Sequence, residues 1–188
     1  MSSKAMIFFT TSKINSVNYI ASLTEDPKKV VGLQFIGYFE SIKIVELIKG
    51  IHTSQKTLMD AQNILKKMDK EVIILKDSPG FMINRLVFTL INESIHLLNE
   101  GIGTPKNIDD EMELGMGMAI GPLKLADKIG LDNTLKILHH LYEETGNNKY
   151  LPCPLLKNMV NAGYVGVKSN VGFFNYSAEI LDFPIFNT

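Results

Sequence analysis

Residues 30–50 read VVGLQFIGYFESIKIVELIKG, and the reading of this stretch decides how the first part of the chain folds. It contains two apolar runs, Val30–Ile36 and Ile42–Ile48, and both read as buried strands. Gly32, Gly37 and Gly50 mark turns or places where backbones approach closely. One carboxylate, Glu46, lies inside the second run, and the polar side chain of the first is Gln34. Burying an unpaired charge is costly, so Glu46 needs a partner. Two arrangements meet that need. Gln34 donates to it through its amide, or Glu46 reaches solvent or a lysine such as Lys43 or Lys49.

Outward from this stretch the pattern alternates. Upstream, Ala5–Thr10 (AMIFFT) reads as a short strand, and Val17–Leu23 reads as a short helix that ends before TEDPKK, with Pro27 as breaker. Downstream, Ser54 is a suitable N-cap, and Leu58, Ala61, Leu65 and Met68 recur at helical spacing. Glu71–Leu75 (EVIIL) is a further strand. Strand–helix–strand alternation to about residue 77 defines an α/β unit.

After the turn Asp77-Ser-Pro-Gly80 the character becomes helical. Residues 81–100 form one long helix stopped at Gly101, and Thr104-Pro105 opens a short one with threonine as cap. Gly121-Pro122 and Gly130 punctuate two more, the second covering the amphipathic stretch 132–145, and residues 154–163 make a last helix. The expected fold is an α/β remnant of a Rossmann-type domain, residues 1–77, followed by an all-helical C-terminal domain, residues 78–188.

Composition narrows the function classes. The 188 residues are 45% hydrophobic and 21% charged, as in an ordinary soluble globular protein. The net charge of −1, with no basic run, argues against nucleic acid as partner. Cys153 is the one cysteine, so there is no disulfide framework and no cysteine zinc site, and a reducing compartment such as the cytoplasm fits best. His52, His96, His139 and His140 show no metal-ligand spacing, so no metal is expected. The most apolar long segment, 81–99, carries Asn84, Arg85, Asn92, Glu93 and His96, which would be expensive in lipid; a buried helix is expected there, not a membrane span.

A dinucleotide site would announce itself as GxGxxG between a strand and a helix. The nearest match is Gly115-Met-Gly117-Met-Ala-Ile120-Gly121, whose last glycine falls one position late. NIDDEMEL before it reads as helix, so the stretch is expected to be a junction between helices.

The segments KDSPGFMINRL (76–86), INESIHLLNEG (91–101), NIDDEMELG (107–115), IGPLKLADKIGLD (120–132) and GVKSNVGFFNY (166–176), in this order, resemble the 3-hydroxyacyl-CoA dehydrogenases, especially the short bacterial 3-hydroxybutyryl-CoA dehydrogenases. The resemblance runs from about residue 6 to 176. It implies a Rossmann-type NAD-binding domain, whose first half is absent from this sequence, and a helical domain that makes a homodimer contact. It also implies an acyl-CoA substrate, mitochondrial placement being possible in a eukaryote. The implied reaction is NAD-dependent oxidation of a 3-hydroxyacyl-CoA to the 3-ketoacyl-CoA, a step of fatty acid metabolism. In that family a histidine moves the hydroxyl proton, a glutamate orients it, and a serine and an asparagine bind the reacting oxygen.

Carried over residue by residue, the glutamate is Glu46, the asparagine is Asn84 and the serine is Ser12 within TTSKIN. The histidine, expected in a strand ending H-F-F-N-P, falls on Gln34, and the asparagine and proline of that strand become Gly37 and Tyr38. A His-Pro pair expected before Gly121-Pro122 is Met118-Ala119, and the loop GRKSGKGFY reads GVKSNVGFF, with Val167, Asn170 and Val171 as replacements. Glutamine cannot accept a proton at physiological pH, so the chain alone is expected to be catalytically impaired, with no confident cofactor-binding residue. Three readings stand: a partial member of the dehydrogenase family, a non-catalytic acyl-CoA-binding or regulatory module, or a dimerisation scaffold built on the long helix.

Overall fold

A computed structural model describes residues 7–10, 16–35 and 43–177. The chain divides into two compact units, with the boundary between Asn84 and Arg85.

Among its described residues the first unit holds a four-stranded mixed sheet in sequential order, β1 (Phe8–Thr10), β2 (Val30–Phe35), β3 (Ile44–Lys49) and β4 (Glu71–Lys76). β1 and β2 are parallel and are joined through α1 (Val17–Ser22); β3 and β4 are parallel and are joined through α2 (Gln55–Lys67). β2 and β3 are antiparallel, in a register that pairs Leu33 with Leu47, Gln34 with Glu46 and Phe35 with Val45.

Because side chains alternate along a strand, this register sorts the sheet into two faces. Val31, Leu33, Val45 and Leu47 pack under Leu58, Ala61 and Leu65 of α2. Val30 and Ile48 face the other way, onto Val17 and Ala21 of α1 and onto Phe81. Gly32 sits on that second face, and a Cβ there would stand 2.5 Å from Val17 Cγ2 and 2.9 Å from Ile48 Cβ. Only glycine lets α1 lie this close to the sheet. Ser54 caps α2 by accepting from Thr57 N, as its position before the apolar repeat leads one to expect. Met68 lies beyond the end of α2 and is exposed.

The long helix, α3, spans Ile83–Asn99 and so begins two residues later than the apolar pattern suggests. The reason is local. Gly80 and Phe81 are both left-handed, at φ 71° and 53°, and neither can belong to a right-handed helix.

The second unit is helical. α4 (Pro105–Asp110) opens with a capping box between Thr104 and Asn107, and one π-helical turn follows over Glu111–Gly115. α5 (Pro122–Ile129), α6 (Leu131–Thr145) and α7 (Pro154–Asn161) complete it. Phe88, Ile91, Ile95, Leu123, Leu131, Leu138, Leu141, Tyr150 and Leu156 are fully buried in this unit.

Asn92 is the polar fixture of the helical unit. Its Nδ2 donates to Lys149 O (3.2 Å) and Leu151 O (2.9 Å), and its Oδ1 accepts from Cys153 N (3.1 Å). The Cys153 thiol is fully buried against Ile95 O, and burial pushes its pKa up. Among the described residues no helix is long and apolar enough to cross a membrane.

Candidate functional site

Gln34 and Glu46 stand opposite each other on the α1 face of the sheet, both far from solvent, at 6% and 0% exposure. The sequence places an amide and a carboxylate at matching positions of two strands, and the register brings them side by side. Their side chains do not hydrogen-bond to each other. Glu46 Oε1 accepts instead from the backbone N–H of Ile83, at 2.9 Å. The Gln34 amide makes one long contact, 3.5 Å, to Phe35 O.

Neither expected partner of Glu46 is therefore used. Gln34 does not donate to it, and the carboxylate reaches neither solvent nor any lysine among the described residues; Lys43 pairs with Asp69 at 3.2 Å. A buried carboxylate at the start of a helix finds a donor in the unpaired N–H groups of the first turn, and this resolves its charge without a side-chain partner. The other oxygen, Oε2, is buried and has no hydrogen-bond partner among the described residues. Burial raises the Glu46 pKa, while the backbone N–H groups of Ile83 and Met82 pull it back down.

Asn84 follows Ile83 directly and is 5% exposed. Its side chain has no hydrogen-bond partner among the described residues. The first unit thus links three of the four candidate positions, Gln34 and Glu46 through the β2–β3 register and Asn84 through Ile83. Ser12, Gly37 and Tyr38 lie outside the described residues. None of His52, His96, His139 and His140 is hydrogen-bonded to Glu46. Among the described residues no group of three or more His, Cys, Asp or Glu side chains is placed to hold a metal ion.

The helical unit carries two further buried carboxylates, Asp109 and Asp127, neither of which stands out in the sequence. Asp109 accepts from Leu123 N (2.8 Å) and Lys124 N (2.9 Å), so it caps α5 from outside. Glu113, on the π-helical turn, accepts from Gly121 N and Lys124 Nζ, which hold its pKa below the usual range. A Cβ on Gly121 would run into the Asp109 carboxylate. The glycine-rich stretch 115–121 is therefore a helix junction, with Gly121 kept small for a cap.

Asp127 does the same for the loop 166–176. Its oxygens accept from Phe173 N, Phe174 N and Tyr176 Oη at 3.0, 3.0 and 3.1 Å. Burial outweighs these bonds and pushes its pKa up to about 6. In that loop Asn170 is left-handed, at φ 60°, a conformation asparagine tolerates better than most residues. It takes the place of a glycine in the sequence pattern, and Val171 beside it is buried.

The NAD-binding domain of 3-hydroxyacyl-CoA dehydrogenase matches residues 1–78 as a family model, and the C-terminal domain of the same enzymes matches residues 80–176. A probable 3-hydroxybutyryl-CoA dehydrogenase of Bacillus subtilis is 42% identical over 163 residues, which is 87% of this chain and 57% of that protein. The human mitochondrial hydroxyacyl-coenzyme A dehydrogenase is 34% identical over 171 residues, covering 90% of this chain and 54% of that one. Among solved structures, the (S)-3-hydroxybutyryl-CoA dehydrogenase of Ralstonia eutropha superposes with a TM-score of 0.88 at 37% identity, over 93% of this chain and 62% of its own. The chain therefore spans less than two thirds of the length of these relatives.

Proposed function

Since the chain belongs to the 3-hydroxyacyl-CoA dehydrogenase family, we propose that it binds a 3-ketoacyl- or 3-hydroxyacyl-CoA with the family's polar groups but does not by itself carry out the dehydrogenation. The observation behind this reading is the Gln34–Glu46 pair. Hydride leaves the carbinol carbon readily only if the hydroxyl proton is removed as charge develops, and that needs a base tuned near neutrality. The amide of Gln34 cannot take up that proton. Glu46 is fully buried behind it and already engaged at one oxygen. Loss of a general base costs on the order of 10² to 10⁴ in rate.

What remains is recognition. Asn84 offers an unspent amide donor to a carbonyl or hydroxyl oxygen, and Gln34 offers another. In this reading Ser12, in the position that the resemblance assigns to the family's serine, adds a hydroxyl. Residues 1–77 act as the nucleotide-domain part, and 78–188 as the substrate and dimerisation part.

NAD is the cofactor of the family, and when bound its nicotinamide would accept the hydride that leaves the carbinol carbon. A pyrophosphate needs glycines whose open backbone it can approach. In the described part of the first unit, the space beside Gly32 is filled by Val17 and Ile48, and that beside Gly50 by Asn18 and Thr53. Neither Gly32 nor Gly50 leaves room for a pyrophosphate, so the proposed function includes no hydride step by this chain alone.

A second copy is the proposed partner. Leu86 on α3 is 63% exposed, and Leu90 and Leu97, half-buried, continue its face at helical spacing.

The deciding experiment is NADH consumption with acetoacetyl-CoA by the native chain and by Gln34→His, beside a calorimetric titration with acetoacetyl-CoA alone. The expected result is binding of the thioester without turnover by the native chain. Turnover by the native chain would overturn the non-catalytic part. No detectable binding would overturn the recognition part and leave a scaffold.

A further inference from the structure

We propose that Glu46 is a positioning residue for Asn84, acting through the first turn of α3 and not through a side-chain partner on β2. The resemblance gives this carboxylate the task of orienting an imidazole. The geometry points to a second task, which survives when the imidazole is gone. For its ligand-binding consequence the inference rests on the proposed function above.

Glu46 is held rigidly. Its backbone lies in the middle of β3 and is paired on both sides, with Gln34 on β2 and Ile73 on β4. From this fixed point the side chain extends to Ile83 N, at 2.9 Å. Ile83 is the first residue of α3 and Asn84 the second. The N–H groups of a first helical turn have no partner within the helix. A capping side chain usually supplies one, but here the preceding residue is Met82, whose thioether is a weak acceptor. The two residues before it, Gly80 and Phe81, are left-handed, so the chain turns sharply into the helix. A carboxylate from the sheet does the capping that the local sequence omits.

Asn84 benefits directly. Its amide has no partner among the described residues, so none of their side chains holds it. Its location depends on the helix turn that carries it, and the Ile83–Glu46 bond ties that turn to the sheet. A displacement of a binding group by about 1 Å is enough to cost a large factor in function.

The test uses the full chain with Glu46→Ala, Glu46→Gln, Asn84→Ala and the double variant Glu46→Ala/Asn84→Ala. Two readouts are taken. One is the acetoacetyl-CoA dissociation constant. The other, free of ligand, is the amide exchange rate of Ile83 together with the side-chain NH₂ resonances of Asn84.

Glu46→Gln keeps an acceptor oxygen for Ile83 N and is expected to stay near native in both readouts. Glu46→Ala is expected to weaken binding about tenfold, the size of a lost charged hydrogen bond, to speed exchange at Ile83 and to shift the Asn84 NH₂ signals. In the double variant no loss is expected beyond that of Asn84→Ala, because the effect passes through Asn84. A full additional loss in the double variant would overturn the inference, as would unchanged Asn84 signals in Glu46→Ala. If Glu46→Ala does not fold, Glu46→Asp, too short to reach Ile83, replaces it with the same expectations. If the native chain does not bind the thioester, the proposed function fails, and the Asn84 signals alone decide the positioning role.

Discussion

Gln34 and Glu46 are direct partners across the β2–β3 pair, yet the carboxylate bonds to Ile83 N, 37 residues further along the chain, and leaves the amide beside it unused. Ile83 N takes one carboxylate oxygen, Oε1, because an unpaired helical N–H in a dry interior is costly to abandon. The orphaned Oε2 is what the arrangement leaves over.

Oε2 makes a definite prediction for Gln34→His. The imidazole would find a free carboxylate oxygen next to it, without having to displace Ile83. Its pKa is expected to lie above the usual value of about 6.5 for histidine. An NMR titration of the variant measures this directly, and a value at or below the ordinary one would mean that the pair does not form.

Asp127 predicts how stability varies with pH. Its folded-state pKa of about 6 lies above the ordinary 3.8, so between these values the folded chain holds a proton that the unfolded chain has released. Stability attributable to Asp127 is then full at the acid end of the window and declines as pH rises through it, by roughly 3 kcal/mol at about 1.4 kcal/mol per pKa unit. Glu46 and Asp109, also raised, act in the same direction. Urea unfolding from pH 4 to 7 checks the sign, and Asp127→Asn should flatten the decline.

Asn92 predicts a large local cost. Alanine there would leave Lys149 O, Leu151 O and Cys153 N without the bonds they now have. The buried Cys153 N–H left unsatisfied costs about 1–3 kcal/mol, while the carbonyls of the exposed Lys149 and Leu151 can turn to water, so Asn92→Ala is expected to lower stability by roughly 1–3 kcal/mol. Chemical denaturation measures it; a loss below about 1 kcal/mol, the size of one ordinary hydrogen bond, would show that the 149–153 segment is held by packing instead.

Gly121 predicts a contrast with Gly103. A methyl group at 121 collides with Asp109 and dislodges the cap on Leu123 N and Lys124 N, so Gly121→Ala should cost about 1–3 kcal/mol. At Gly103 the nearest atoms stand 3.6 Å from the added carbon, an ordinary contact, and alanine is expected to shift the thermal midpoint little.

Leu86 predicts the assembly. If a second copy covers α3, Leu86→Glu buries a charge in that interface and should convert the dimer to monomer by sedimentation velocity. Identical sedimentation of the two forms would remove Leu86 from the contact.

The regular elements were legible because their signals are local. The capped repeat of α2, the capping box of α4 and the apolar runs of β2 and β3 each announce themselves within a few residues. The bonds that shape the site are not local. The partner of Glu46 is a backbone group, which every residue possesses, so no residue type marks Ile83. The left-handed Phe81 that delays α3 is equally silent, since an aromatic residue gives no sign of that conformation. Asp109 and Asp127 escaped for the same reason: their partners lie 14 to 49 residues away and are mostly backbone N–H groups.

Cys153 has a practical consequence. The chain has one sulfhydryl, and it is enclosed by the helical unit and held in its unreactive protonated form. A single cysteine introduced on the surface would be the one site open to maleimide dyes or spin labels in the folded protein. Distance measurements between chosen points therefore need no cysteine-free background, and the sudden labelling of Cys153 itself would report unfolding.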